Sequence, residues 1–156
     1  MDQVKSVYPE LSIMRWIEEE CQTAPDKCLL ATADACFAYG EVREWTISLA
    51  QYFAKEHGLG AGSTIALCAP NVVHVLVVLA AAQLLDVRVA LFPLATGAIE
   101  FERAVGLVCP QLVISSDPFR FGEARGVIND IQCMLINDGH VTVPSVDEVM
   151  RRPVTS

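Results

Sequence analysis

Short apolar runs alternate with longer helical patterns through the middle of the chain. Residues 64–67, 88–92 and 112–115 are apolar and short enough for buried strands. Residues 72–85 are apolar almost all round but too long for a typical strand, so they predict a buried helix, and 99–108 predict an amphipathic one. Strands that alternate with helices indicate βαβ units and a parallel sheet. The predicted fold class is therefore α/β, a parallel-sheet three-layer α/β/α subdomain.

The N-terminal third adds a helix, a small hairpin and a second helix to this prediction. Ser12 is a plausible N-cap for the first helix, and residues 28–32 and 36–39 have the pattern of two hairpin strands. Residues 40–57 form the clearest amphipathic helix, which Gly58 should end as a C-cap residue. The residues predicted to face inward from this helix are Val42, Trp45, Leu49, Tyr52 and Phe53.

The C-terminal part predicts one more strand between two short helices. Residues 123–130 are predicted as a helix and 133–136 as the final strand. Asp138-Gly139 is typical of a tight turn. Ser145 and Glu148 have capping-box spacing, so a short helix should start there.

Length, composition and charge indicate how many domains the chain can form and which classes of partner it can bind. The chain has 156 residues, which fit one subdomain over 1–150 with a frayed tail at 151–156. Apolar residues make up 53% and mean hydropathy is +0.39, which favours a sheet buried on both faces, alone or together with an apolar surface for a partner. The net charge of −8 argues against nucleic-acid binding. Residues 72–94 contain charged residues and proline, so no membrane span is expected.

Six cysteines are spread along the chain without a zinc or redox motif. No two have Cys-x-x-Cys spacing, and none pairs with a histidine at zinc-site spacing. Cys68 and Cys109 lie in apolar surroundings and are predicted as small core residues. A reducing compartment, the cytoplasm, fits this usage best. The cysteines stand at positions 21, 28, 36, 68, 109 and 133.

The glycine motif of the chain predicts a connection rather than a phosphate loop. Gly58-x-Gly60-x-Gly62 follows a predicted helix and precedes a strand, the reverse of the dinucleotide-binding order. The sequence also has no Gly-x-x-x-x-Gly-Lys-Ser/Thr segment and no Gly-x-Ser-x-Gly elbow.

The remaining titratable residues have structural interpretations. His57 should lie at a helix end, His74 should be a partly covered surface residue, and His140 should lie in a turn. Arg120 and Arg125 are interpreted as part of a solvated face, with an anion contact as the alternative. Local backbone capping accounts for the aspartates near turns, and we predict no catalytic, cofactor-binding or metal-binding residue in this chain. These aspartates are Asp117, Asp130, Asp138 and Asp147.

The order of several short motifs resembles the opening of the adenylate-forming enzymes. Residues 37–42 read Phe-Ala-Tyr-Gly-Glu-Val, similar to the family's hydrophobe-Ser/Thr-Tyr-x-Glu-Leu element, and a helical Leu49-Ala50 follows. Residues 62–66, Gly-Ser-Thr-Ile-Ala, are similar to Gly-Asp-Arg-Val-Ala, and a Pro70-Asn71 turn leads to Leu79-Ala80. The family includes acyl- and aryl-CoA synthetases, luciferase-like enzymes and the adenylation domains of peptide synthetases.

Further matches extend the resemblance over about residues 13 to 150. Residues 84–93 resemble Leu-Lys-Ala-Gly-x-x-x-x-x-Pro, with Asp86 in the place of the usual glycine. The family's Pro-x-hydrophobic strand is similar to residues 110–114, and its Ser-x-Asp-Glu helix start is similar to residues 145–149. Glu100 also matches a glutamate of the family. The stretch 88–136 looks most like members that activate aryl acids, enzymes of secondary metabolism.

The resemblance implies a scaffold subdomain of an AMP-forming ligase. A complete ligase converts a carboxylate and ATP to an acyl-adenylate and then transfers the acyl group to a thiol such as CoA or carrier-protein pantetheine. The family's phosphate loop ending in Pro-Lys-Gly does not occur here, nor do its later segments. We therefore expect no activity from this chain alone and no bound cofactor, whereas ATP and Mg²⁺ are expected in a complete enzyme.

The sequence leaves alternatives for the partner of the chain and for its function. The partner implied by the resemblance is the remainder of the ligase, or another protein on an exposed apolar face, with a homodimer as an alternative. A free-standing, degenerate adenylation-like domain that acts as an interaction or scaffold module is the second hypothesis. An unrelated flavodoxin-like binder is the third, with its site at the carboxyl ends of the strands.

Overall fold

The computed structural model describes residues 12–137 and 145–154. Its strands are β1 Cys28–Ala31, β2 Cys36–Ala38, β3 Thr64–Cys68, β4 Arg88–Leu91, β5 Leu112–Ser115 and β6 Gln132–Leu135. Its helices are α1 Ile13–Thr23, α2 Tyr39–Glu56, α3 Val72–Leu84, α4 Ala98–Val108, α5 Phe119–Val127 and α6 Val146–Met150.

Four of the strands form one parallel sheet in the order β4-β3-β5-β6. Ile65 of β3 pairs with Val89 of β4 on one side and with Leu112 of β5 on the other, and Leu112 in turn pairs with Gln132. Strands β1 and β2 form a separate antiparallel hairpin. The sheet and the hairpin confirm the predicted α/β class.

The central strand divides the core into two layers because its side chains alternate between the faces of the sheet. Ile65 and Leu67 of β3 pack in a large apolar cluster with residues of α1, α2, α3 and α6. Ala66 and Cys68 pack on the other face with α4 and α5. Every residue of β3 is buried, so the sheet has helices on both faces and the three-layer prediction is confirmed.

Side-chain caps mark the helix starts that the sequence predicts. Ser12, Asn71 and Ser145 each accept a hydrogen bond from a backbone N–H two or three residues further on. At the end of α2, Gly58 has a φ of 63°, a left-handed conformation that suits glycine at this position. The helix-to-strand interpretation of the 58–62 glycine motif is therefore confirmed.

Helix α5 begins four residues earlier than the sequence pattern predicts. The prediction placed it at 123–130, whereas the observed helix is Phe119–Val127. Asp117 Oδ1 accepts the N–H of Phe119 at 3.0 Å in a local turn, and the helix begins directly after it with Pro118 as the N-cap. Gly122 and Gly126 have no apolar side chains, so they weaken the helical pattern of apolar residues in this segment. The predicted turn at 138–139 and His140 lie outside the described residues.

No helix within residues 12–137 and 145–154 is long and apolar enough to cross a membrane. This finding agrees with the charged and proline residues that interrupt the apolar run at 72–94.

Candidate functional site

The carboxyl edge of the sheet is the first place to look for a site in this topology. The chain leaves β3 towards β4 on one side and returns to β5 on the other, and open α/β sheets bind ligands at such a switch point. The polar groups here make local contacts: Ser116 N–H donates to the Cys68 carbonyl at 3.3 Å, and Ser115 Oγ accepts from Asp117 N–H at 3.0 Å. Asn71 caps α3. These contacts hold the loops that follow β3 and β5 in place.

Arg120 is a buried clamp beside this edge, which corrects its interpretation as a solvated residue. Its side chain donates to Glu123 Oε2 at 2.9 Å, to the Leu94 carbonyl at 3.3 Å and to the Thr96 carbonyl. The guanidinium carbon also lies 5.1 Å from the centroid of the Phe101 ring. Arg120 is only 8% exposed and connects the segment after β4 to α5.

The cysteines near this layer differ in burial. Cys68 is buried, and this burial raises the pKa of its thiol to about 11, which outweighs the lowering effect of nearby Arg120. It therefore stays a neutral core thiol at physiological pH, as the core prediction requires. The same prediction is wrong for Cys109, which is exposed at the end of α4 with a φ of 50°.

His74 and Asp147 form a pair that the sequence analysis missed. His74 Nε2 lies 2.6 Å from Asp147 Oδ1, and His74 is 7% exposed rather than partly covered at the surface. Asp147 N–H also donates to the Ile136 carbonyl at 3.0 Å. The pair therefore fastens α6 to α3. The two residues are 73 positions apart, so no local pattern could reveal their contact.

A disulfide joins Cys28 and Cys36 across the N-terminal hairpin. The Cα atoms are 5.9 Å apart, and both residues are exposed. The spacing of these cysteines matches no metal or redox motif, so motif spacing alone does not predict the bond. The sequence signal for the bond is the presence of one cysteine in each of the two predicted hairpin strands.

Metal ligands do not gather in the part of the chain that the structure describes. There, no group of three or more His, Cys, Asp or Glu side chains is placed to hold an ion. His57 instead contacts Gln132 Oε1 through Nδ1, and its ring lies 5.3 Å from that of Tyr52. His57 has a structural position at the end of α2, as predicted.

Two grooves flank β4, the strand at one end of the sheet. The α3-side groove has a volume of about 310 Å³ and the α4-side groove about 370 Å³. The α3-side groove is lined by Ile13, Leu79, Gln83, Asp86, Val87 and Val89. The α4-side groove is lined by Thr64, Arg88, Val89, Ala90, Leu107 and Val108.

Large apolar side chains are exposed next to these grooves. Leu107 of α4 is 81% exposed and Leu91 of β4 is 54% exposed. Leu94, three residues after β4, is exposed as well. A soluble domain rarely leaves several large apolar side chains uncovered around one edge, so this surface is a candidate for an interaction.

The structure also fastens the start of the tail after residue 150. Arg152 offers its carbonyl to Ser48 Oγ at 2.8 Å, and its guanidinium carbon lies 5.7 Å from the centroid of the Tyr52 ring. The frayed tail at 151–156 stays a prediction.

The described fold is shared by parts of solved adenylate-forming ligase structures. Apo MbtA from Mycobacterium smegmatis matches all of this chain with a TM-score of 0.80 at 15% identity, over 32% of its own chain. A benzoate CoA ligase from Burkholderia xenovorans LB400 matches 92% of this chain with a TM-score of 0.72 at 14% identity, over 29% of its own chain. At these identities the two structures show the fold alone.

Sequence similarity supports the same assignment. The chain is 31% identical over 111 residues to enterobactin synthase component F from Escherichia coli O157:H7, which is 70% of this chain and 8% of that protein. No protein-family model matches the chain. Fold and sequence together confirm the resemblance to the N-terminal subdomain of the adenylate-forming superfamily. The chain spans only 8% of the length of the curated relative it matches.

Proposed function

We propose that this chain serves as the N-terminal subdomain of an AMP-forming ligase that activates an acyl or aryl acid and transfers it to a thiol. The observation that carries the proposal is the sequence similarity to enterobactin synthase component F over 111 residues. The same chain has the fold found in part of the ligase structures. The acceptor would be CoA or a carrier-protein pantetheine. The Cys28–Cys36 disulfide runs against the reducing compartment that the cysteine usage predicts, because disulfides are rare in the cytosol. A cytoplasmic location is part of the proposal only because ATP and these thiols are cytoplasmic reactants.

The proposed contribution of the chain is scaffolding rather than chemistry. Stabilisation of phosphate charge in this reaction requires cationic groups such as lysine and Mg²⁺. The family's Pro-Lys-Gly loop does not occur in the sequence, and the described polar groups at the carboxyl edge make local contacts. Other parts of a complete ligase would hold ATP and Mg²⁺, and this chain would bind no cofactor itself.

ATP–pyrophosphate exchange tests the proposal in two forms. The purified 156-residue chain should give no exchange above background with a panel of aryl and acyl acids. A chimera in which this chain replaces the matching segment of enterobactin synthase component F should fold and retain exchange. Exchange by the chain alone would contradict the scaffold role, and a folded chimera without exchange would contradict the subdomain assignment.

A second candidate function is a free-standing interaction or scaffold module. The exposed apolar side chains around β4 favour it, because they offer a surface to another protein. The coding sequence separates the two candidates: a stop codon directly after Ser156 favours the module, whereas continuous coding with a Pro-Lys-Gly loop favours the ligase. Sedimentation of the pure chain tests the homodimer alternative.

A further inference from the structure

Strand β4 has an open row of backbone groups on its outer side. Arg88 and Phe92 donate their N–H groups at 2.9 Å to carbonyls at or beside β3. Because successive residues of a strand in a parallel pair point their backbone groups to opposite sides, the N–H and C=O groups of Val89 and Leu91 face outward. Within the described part of the chain, no strand lies beyond β4 in the sheet.

The two grooves lie where the side chains of one more strand would point. The α3-side groove lies on one face of the sheet edge and the α4-side groove on the other, and Val89 lines both. A strand sends alternate side chains to opposite faces, so a strand hydrogen-bonded to Val89 and Leu91 would place apolar side chains in both grooves.

The edge has little of the protection that isolated edge strands carry. Charged residues, proline or a bulge usually prevent such strands from pairing with another chain. Strand β4 reads Arg-Val-Ala-Leu, with one charge at its start, and its register with β3 is regular. Pro93 follows only after the strand has ended. The sequence therefore leaves this edge able to pair.

We propose that β4 accepts an extended strand with apolar side chains from the remainder of an adenylate-forming ligase, which continues the parallel sheet and fills both grooves. The inference rests on the proposed function. The length of the related proteins supports this occupant, because the chain matches only 29% of the benzoate CoA ligase and 32% of MbtA. Most of such a ligase therefore lies outside the matched region and can supply the strand.

A second copy of the chain is a poorer occupant of the same edge. If two β4 strands paired antiparallel with Val89 of each copy opposite Leu91 of the other, Arg88 of each copy would lie opposite Phe92 of the other. The guanidinium would then lose water without gaining an anionic partner. A strand of different sequence avoids this cost.

Fluorescence anisotropy with a synthetic strand tests the edge directly. The probe is a fluorescein-labelled nine-residue peptide of alternating valine and threonine, and its control is the same peptide with every amide N-methylated. The unmodified peptide should bind the full chain saturably, whereas the N-methylated peptide should not bind because it lacks the donors of the ladder. Equal binding of both peptides, or binding of neither, would overturn the proposal.

Matched variants of the chain locate the binding. Leu91→Pro removes an outward N–H without removing a bond to β3, and Leu91→Lys adds a charge to the edge; each should weaken peptide binding about tenfold or more. Phe119→Lys changes an 80% exposed apolar residue on α5 and should leave binding within about twofold of wild type. Circular dichroism confirms that each variant folds, and the lysine variant replaces the proline variant if proline prevents folding.

Two further results separate this inference from its alternatives. A concentration-dependent dimer of the wild-type chain that Leu91→Pro abolishes would overturn the proposal in favour of pairing between copies. In the chimera with enterobactin synthase component F, Leu91→Lys should lower ATP–pyrophosphate exchange. An active chimera that tolerates Leu91→Lys would contradict the strand inference while the proposed function stands, whereas an inactive wild-type chimera contradicts the proposed function itself.

Discussion

Asp86 has a backbone conformation that limits the residue types suited to its position. Its φ is 58°, in the left-handed region, and its N–H donates to the Gln83 carbonyl at 3.3 Å just after α3. Glycine adopts this conformation without steric cost, and aspartate tolerates it better than most residues. Asp86 therefore forms a turn between α3 and β4 that glycine would also allow.

Substitutions of Asp86 should follow this conformational preference. Asp86→Gly should be more stable than Asp86→Ala by about 1 kcal/mol, because alanine has a Cβ that is strained at positive φ. Chemical denaturation of both variants measures the difference in free energy of unfolding. An alanine variant as stable as the glycine variant would contradict the left-handed assignment.

The pair of His74 and Asp147 should contribute measurably to stability because it is largely shielded from water. Replacing Asp147 by Asn or His74 by Gln should each lower the free energy of unfolding by about 1–3 kcal/mol, since buried His74 loses its carboxylate partner in the first variant and half-buried Asp147 loses its imidazole partner in the second. A double-mutant cycle measures the coupling between the two side chains. A coupling energy indistinguishable from zero would show that the contact adds nothing to stability.

At the scale of elements, one side chain holds the α4–α5 layer to the segment after β4. Arg120 contacts Leu94 and Thr96 in that segment, and the ring of Phe101 on α4 packs against its guanidinium. Because Phe101 also packs against Phe92 with ring centroids 5.0 Å apart, the end of β4 is connected to two helices through a short chain of contacts.

Arg120→Lys should therefore be a costly substitution despite the retained charge. A lysine ammonium lacks the planar fork that reaches several acceptors at once, so the Leu94 and Thr96 carbonyls should lose their donor at a cost of about 1–3 kcal/mol. Urea denaturation gives the free energy of unfolding. The matched control is Arg125→Lys on the same helix, which is exposed and should change stability by less than about 0.5 kcal/mol.

The disulfide between Cys28 and Cys36 should stabilise the N-terminal hairpin. The bond closes a short loop with a sequence separation of 8. In the chain-entropy account, closing a loop of this length raises the free energy of unfolding by about 2–3 kcal/mol. A reducing agent should lower the melting temperature of the wild-type chain. The double variant Cys28→Ser, Cys36→Ser should melt at one temperature with or without reductant, and Cys109→Ser should retain the response. Six free thiols in unreduced protein would contradict the bond.

At the scale of the whole molecule, net charge should control solubility. The formal charge is −8 at pH 7 and the sequence pI is about 4.7, so repulsion between copies disappears as the pH falls towards that value. With large apolar residues exposed around β4, solubility should pass through a minimum near the pI. Turbidity between pH 4 and 8 measures this, and a minimum far from the pI would contradict the electrostatic argument.

The sequence predicts the sheet and most helices because their signals are local. Strand β3 is a short apolar run with a glycine connection before it, and Ser12, Asn71 and Ser145 are caps that act within three residues. Such features depend on neighbouring residues only, so their physical causes can be seen in the sequence itself.

The contacts that were missed have distant partners. Arg120 binds carbonyls 24 and 26 residues upstream, and His74 binds a carboxylate 73 residues away. A polar residue with such a partner becomes buried, whereas the same residue without one stays exposed, and the local sequence cannot distinguish the two. The candidate edge at β4 could not be predicted for the same reason, because it depends on the order of the strands.

The disulfide also affects how a break in the chain would appear. The hairpin tip between β1 and β2 is exposed, and exposed tips are the usual places where proteases cut. A cut between Ala33 and Asp34 falls inside the loop that Cys28 and Cys36 close, so both pieces would stay covalently joined. The nicked protein would migrate as one band on a denaturing gel without reductant and separate into two only after reduction.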